Sequence, residues 1–380
     1  MNSESILCES ITDLSQKLTE ITNRFQPTLA FVFANKNCNI EAINEELNKR
    51  SIQFIGCSTA GEIKDSNLVF DSIGMLLMEV SSDKFKIVHN NYGETIFEDA
   101  RNLGITAKET FENPGIIIFS GGIAVDGYQI VEGIKEVLGN DLPIFGGLGG
   151  NNLNFFETIC YSNNFLSKNG YSSIVFDTDK IKLEGIAISG WDGLGKTNTI
   201  SKSKNNIVYE INNVPAFEEL KKYFGEELFM QPENNSQEVI AFPGQFPLKI
   251  YRDNGNTFLR AIVNINTKDN SIVLAGSVPE GCQFKYCPSP GIEEVTDTVN
   301  IYKERLGVGK EIDSLLMISC LIRHHSFGPL FEEEIRSIYQ LWKKPMAGFL
   351  SYGEIGNTGD NAIVEFHNAT CSLVGLSEVV

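Results

Sequence analysis

Basic charge is scarce in this chain: 31 Lys and Arg face 49 Asp and Glu, a formal net charge of −18. That sign is wrong for gripping nucleic-acid phosphates, so nucleic acid is excluded as a partner. No stretch approaches the roughly 18 apolar residues of a membrane helix, so no membrane partner is expected. The opening MNSESILCESITDL lacks a basic region followed by an apolar one, which argues against a secretory signal and for a cytoplasmic protein. The eight cysteines, Cys8, Cys38, Cys57, Cys160, Cys282, Cys287, Cys320 and Cys371, contain no CxxC pair. A disulfide framework is not expected in so large a chain, and zinc spacing is missing. Nucleotide loops are missing too. Gly146-Gly147-Leu148-Gly149-Gly150 has no Walker Lys-Ser/Thr, and Gly193-Leu194-Gly195-Lys196-Thr197 lacks the upstream glycine of a P-loop.

What is present is a threefold repetition. Pro27–Ile63, Pro114–Asn151 and Asp313–Asn357 each read as an apolar strand, a polar loop, an amphipathic helix, a short second strand and a glycine-rich turn. Two of the turns carry the same tripeptide, Gly61-Glu62-Ile63 and Gly353-Glu354-Ile355. Apolar residues at spacings of three and four predict a helix over 10–25, with Ile11, Leu14, Leu18, Ile21 and Phe25 on one face. That stripe is heptad-like, so a homodimer is one reading, although docking on its own domain is favoured. After each of the first two modules a hairpin is expected, 74–80 with 85–89 and 173–176 with 181–189. Further expectations are a helix over 214–224, a loop over 231–237, antiparallel strands at 257–263 and 271–276, and a helix over 289–306 whose apolar face includes Ile292. The expected fold is α/β with α+β character, built from duplicated strand–helix–strand–hairpin modules. Residues 27–91, 114–190 and 313–376 should superpose.

Ile55-Gly56-Cys57-Ser58-Thr59-Ala60-Gly61-Glu62-Ile63 and Phe145-Gly146-Gly147 lie in the first half. Arg260, Val278-Pro279-Glu280-Gly281, Ser319-Cys320 with Arg323, Gly348-Phe349, Tyr352-Gly353-Glu354-Ile355 and Phe366-His367-Asn368 with Thr370 follow in the second. This ordered set, spanning nearly the whole chain, resembles the FIST family of microbial sensory proteins. The apolar stripe gives an N-terminal helix within 1–26, and the boundary falls near 215, where composition turns polar and a new helix begins; the resemblance makes 27–214 a FIST N-terminal domain and 215–380 a FIST C-terminal domain. It also implies an intracellular sensor of small molecules such as amino acids. Some members bind haem and report nitric oxide to a histidine kinase. The chain shows no output domain of its own, so its signal is expected to pass to a separate protein.

The candidate site residues are taken from the glycine turns and their neighbours. Cys57, Ser58, Thr59, Gly61 and Glu62 end a buried strand, where turn amides and hydroxyls suit a carboxylate and Glu62 an ammonium. Tyr352, Gly353 and Glu354 are the counterpart. Arg260 and Arg323 are candidates for a ligand carboxylate or a haem propionate, against the alternative of a salt bridge joining the two halves. His367 and Asn368 interrupt an apolar strand region. His367, or His324 or His325 in an expected loop, are the candidate haem ligands, and no other metal is expected. Cys57 and Cys320 are weighed as nucleophiles of a cysteine-dependent hydrolase, but no base accompanies them. The favoured reading is a non-enzymatic sensor of a small anionic or zwitterionic ligand, bound in the C-terminal module.

Overall fold

The computed structural model describes residues 1–121, 125–151, 157–229, 239–241, 246–252, 255–307, 311–358 and 363–379. It is a mixed α/β fold. Module one comprises β1 (Ser3–Cys8), α1 (Ile11–Thr22), β2 (Leu29–Ala34), α2 (Ile40–Asn48), β3 (Gln53–Ser58), β4 (Glu62–Lys64), β5 (Asn67–Val69) and β6 (Ile73–Met78). Module two repeats the order: β7 (Phe85–Asn91), α3 (Ile96–Thr110), β8 (Pro114–Gly121), α4 (Gly127–Leu138), β9 (Ile144–Leu148), β10 (Cys160–Ser162), β11 (Phe165–Ser167) and β12 (Gly170–Asp177). Module three begins with β13 (Ile181–Ile188). An insertion follows: β14 (Leu194–Lys204), β15 (Ile207–Ile211), β16 (Val214–Pro215), α5 (Ala216–Phe224), β17 (Val239–Ala241), β18 (Leu248–Tyr251), β19 (Thr257–Arg260), β20 (Ile262–Asn266), β21 (Ser271–Leu274) and β22 (Gln283–Tyr286). The module then resumes with α6 (Ile292–Tyr302), β23 (Ser314–Cys320), α7 (Leu321–Phe327), α8 (Pro329–Trp342), β24 (Met346–Ser351), β25 (Gly353–Asn357), β26 (Val364–His367) and β27 (Cys371–Glu378). Side-chain oxygens of Ser10, Asn39, Thr95 and Asp126 cap the starts of α1 to α4, satisfying amides that the helix cannot.

The three modules are interwoven by strand exchange. The sheets run β1-β6-β2-β3-β10-β11, β7-β12-β8-β9-β25-β26 and β13-β27-β23-β24-β4-β5. Each module thus supplies four strands to its own sheet and sends its short strand pair to a neighbour's: one to three, two to one, three to two. The registers agree. Tyr161, Ile355 and Ile63 of the guest strands lie opposite Gly56, Gly146 and Gly348 of the hosts. A Cβ on those glycines would meet the carbonyl oxygens of Val32, Ile118 and Met317 at 2.1, 1.9 and 1.9 Å. A backbone packed that closely admits only glycine.

This weave corrects several expectations. The segments 74–80 and 85–89 do not form a hairpin, because β6 pairs with β1 and β2 while β7 pairs with β12. Likewise β12 pairs with β8 and β7, and β13 with β27. Both short turns carry the chain from one sheet to the next, a choice that strand alternation cannot reveal. The sequence reading also missed β1 and α3, and it started module three at 313 although β13 and α6 belong to it. The third helix of the repeat begins at Ile292 rather than Ser289, and Ile292 is 64% exposed. The expected loop at 231–237 lies outside the described residues. Segment 257–263 breaks at Ala261, with β19 pairing β18 and β20 pairing β21.

The inner faces of the three sheets share one core. Phe33, Phe119 and Phe349 meet there, with ring centroids 4.8 to 5.5 Å apart, a geometry that adds to their area burial. Outside, each sheet is covered by its own module's helices, α1 and α2, α3 and α4, and α6 to α8, whose apolar residues form separate clusters. Leu14, Leu18 and Ile21 of α1 are buried there against module one's own strands. The insertion has its own core, which includes Ile200, Phe217, Leu248, Ile265 and Phe284.

Candidate functional site

Seven of the predicted site residues converge on one turn, Phe366 to Thr370, which carries β26 into β27. Ala369 in that turn has a positive φ of 55°. Arg260 donates through Nη1 to the carbonyls of Phe366 (2.8 Å) and Leu259 (3.0 Å), and through Nε to that of Ser277 (3.0 Å). Its guanidinium lies against the rings of Phe258 and Phe366. Arg323 donates to the carbonyls of Ser189 and Ala369 and forms a fully buried ion pair with Glu334. Burial opposes the charge on Arg323, but Glu334 beside it wins and holds the guanidinium protonated. Asn368 donates to the Tyr352 carbonyl (3.3 Å) and accepts from the Ala261 amide. The Tyr352 hydroxyl donates to the Asn151 carbonyl. Both arginines are thus engaged by protein groups, but the ion pair of Arg323 runs from α7 to α8 within module three and does not join the two halves of the chain.

Glu354 also serves the turn. One oxygen accepts from the Thr370 amide (3.2 Å) and hydroxyl (2.8 Å), the other from Ser351. Burial pushes its carboxyl up to about 8 against those hydrogen bonds. Glu62 makes the same arrangement in module one, accepting from the Ser72 amide (3.0 Å) and hydroxyl (2.8 Å) just before β6. Burial pushes it up to about 7. In both modules the Gly-Glu-Ile carboxylate fixes the chain where it enters the returning strand. Ser58 accepts from the Ile159 amide (2.9 Å), and Thr59 closes a local turn onto Gly61. Gly353 faces the Phe366 ring, where a Cβ would lie 2.4 Å from it. The module-one group, Cys57 to Glu62, meets module three through its backbone: the Ala60 amide donates to the Leu350 carbonyl (3.1 Å) and the Leu350 amide to the Gly61 carbonyl (2.9 Å), two residues before Tyr352.

A cavity of about 160 Å³ opens beside the Phe366–Thr370 turn, at the seam between the insertion and module three. His367 and Thr370 line it from the turn, Ser189 from the end of β13, Lys249 from β18, Thr257 to Leu259 from β19 and Ile301 from α6. His367 donates through Nε2 to the Gly356 carbonyl (3.2 Å), because a carbonyl oxygen can only accept. Its other nitrogen, Nδ1, is then an acceptor. Burial, with the charge of Arg260 adding to it, drives this imidazole down to about 3, so it is neutral at ordinary pH. Lys249 pairs with Asp192 at 2.8 Å, but Asp192 is 92% exposed, and such a pair is weakly held. Lys249, Thr257 and Ser189 were missed by the sequence reading, since they belong to no motif. Adjacency to Arg260 was the only clue for 257–259. A larger depression of about 560 Å³, lined by Thr199, Ser201, Asn212, Asn213, Glu280 and Gly281, lies on the insertion's surface away from these residues.

His324, half-buried, and His325, exposed, lie in helix α7 rather than a loop, edge-on to each other. Among the described residues no group of three or more His, Cys, Asp or Glu is arranged to hold a metal, and no helix is long and apolar enough to cross a membrane. Cys57 and Cys320 are fully buried, and burial raises both thiols well above their ordinary value. No curated protein matches the chain. The FIST N domain model matches residues 28–214 and the FIST C domain model residues 216–357; the chain belongs to the FIST family, whose domains are associated with signal-transduction sensing.

Proposed function

We propose that this chain is a non-enzymatic sensor that holds a small polar ligand in the seam cavity and signals through a separate output protein. The observation that carries this reading is the placement of His367 and Thr370 in a cavity walled on its other side by the insertion. A ligand there touches two separately cored parts and favours whichever arrangement of them it fits best. The lining supports a ligand with an acidic end: the Lys249 ammonium at one side, hydroxyls of Ser189, Thr257 and Thr370, and the apolar walls of Phe258, Leu259 and Ile301. About 160 Å³ suits a molecule of about benzene size and falls below the roughly 300–1,000 Å³ of drug-sized pockets.

That volume does not fit a haem macrocycle, and the Nε2 of His367 is already given to Gly356. The seam cavity and His367 therefore lend the haem reading no support. The hydrolase alternative gains no support either, because a nucleophile needs a thiolate and a neighbouring base, while Cys57 and Cys320 are buried as thiols.

A thermal-shift screen of amino acids and small organic acids tests the proposal. A ligand at about 100 times its dissociation constant should add roughly 2.7 kcal/mol of stability. Lys249→Gln and Thr257→Val should weaken that response without altering the ligand-free melting temperature by more than a few degrees. A panel that shifts nothing, or shifts both variants as much as the wild type, would overturn it.

A further inference from the structure

The cyclic exchange creates three equivalent junctions between a guest strand and its host, and their chemistry differs. Glu62 lies opposite Phe349 and Glu354 opposite Gly147, each carboxylate being tied back to its own module. At the third junction the equivalent position is Cys160, and its register partner is Cys57. Both are free thiols and both are fully buried. The Ser58 amide donates to the Ile159 carbonyl at 2.8 Å, which makes Ser58 and Ile159 the hydrogen-bonded pair. Cys57 and Cys160 are therefore the non-hydrogen-bonded pair, where antiparallel strands bring Cα atoms to about 4.5 Å. Disulfides span about 4.4–6.8 Å. The two thiols also share a face. Ile159 and Tyr161 point into the cluster under α1 and α2, so Cys160 between them turns inward, to the side on which Cys57 joins the central core.

We propose that Cys57 and Cys160 are a redox pair, which a peroxide converts to a disulfide stapling module two's guest hairpin onto module one's sheet. Once local opening brings water to the pair, one thiol loses its proton and the thiolate attacks a peroxide oxygen, forming a sulfenic acid and releasing hydroxide, which takes up that proton as water. The second sulfur attacks the sulfenic sulfur, and the displaced hydroxide leaves as water with the thiol proton. Two thiols and one hydrogen peroxide give one disulfide and two waters, the sulfurs losing the two electrons that the peroxide gains. Access to the buried β10 requires the hairpin to open from its β11 edge. β10 and β11 are three residues each, and β11 is the sheet's edge. Short edge units of this kind open locally at far less cost than the whole fold.

The test uses the full chain, reduced, desalted and treated with hydrogen peroxide, then mapped by non-reducing peptide mass spectrometry. A linked peptide joining Cys57 to Cys160 is expected, with two of the eight thiols lost, a raised melting temperature, and reversal of both by dithiothreitol. Cys160→Ala should lose the link and the rise. Oxidation of the partly exposed Cys38 and Cys282 without a 57–160 peptide would overturn the proposal. So would a linked peptide whose reduction leaves the melting temperature unchanged. Should Cys160→Ala fail to fold, the wild-type map and its reversal by dithiothreitol still decide.

Discussion

Glu62 and Glu354 are buried carboxyls whose titration is pushed up to about 7 and about 8, far above an ordinary glutamate. Between their unfolded and folded values the folded chain binds more protons, so stability falls as pH rises through that interval. His367 acts oppositely. Its folded value near 3 means that the unfolded chain binds the extra proton below about 6.5, so its contribution is lost as pH falls from there. From pH 6.5 to 8 the two glutamates lower stability, and urea denaturation should show it declining, with these two carboxyls taking up as many as two protons on folding. Glu354→Gln and Glu62→Gln should each flatten that slope by about one proton; an unchanged slope in both would refute the assignment. Arg323 gives a second test. Arg323→Met strands Glu334 in the core and should cost about 3–5 kcal/mol, whereas adding Glu334→Leu should restore most of it.

At the scale of elements, the decisive residues are the glycines opposite each guest strand. Gly56, Gly146 and Gly348 lie so close to the neighbouring parallel strand that alanine has no room. Each alanine variant should lose about 3 kcal/mol or more in urea titration, the severe end of overpacking. Gly139→Ala is the control. Nothing lies within 4 Å of its Cβ position, so only its φ of +77° is strained, and the loss should stay near 1 kcal/mol. Equal losses at all four positions would show that conformation, not strand contact, sets the requirement. The turns after β6 and β12 work at the same scale. Each carries the chain between sheets, so the returning strand of one module leads directly into the first strand of the next.

For the whole molecule, the insertion is a detachable layer on a three-module body. Leu194 and Tyr286, at its two ends, are register partners, so a short linker can bridge the excised segment 194–286. The shortened chain should melt cooperatively, at a lower temperature than the parent because the hold of Arg260 on Phe366 and of Arg252 on Glu365 is lost. It should no longer respond to any ligand of the seam cavity. Circular dichroism with a thermal melt checks the first expectation. An unfolded product would mean that the body depends on the insertion.

The sequence by itself determined the repeated strand–helix–strand units, because continuous apolar strands and helical stripes are local patterns. It also determined the FIST family, through motifs held in order. Its candidates included Arg260, Arg323, Tyr352, Glu354, His367 and Asn368 alongside Cys57 to Glu62, and the structure brings the former around the 366–370 turn. Which sheet each strand joins was decided only by the tertiary structure. Alternation says which face is buried but not against which partner, so both expected hairpins failed and the exchange stayed hidden. The lining from β18 and β19 was equally hidden. Lys249 and Thr257 are ordinary surface residues in sequence, and they meet His367 only because an independently cored insertion folds back over module three.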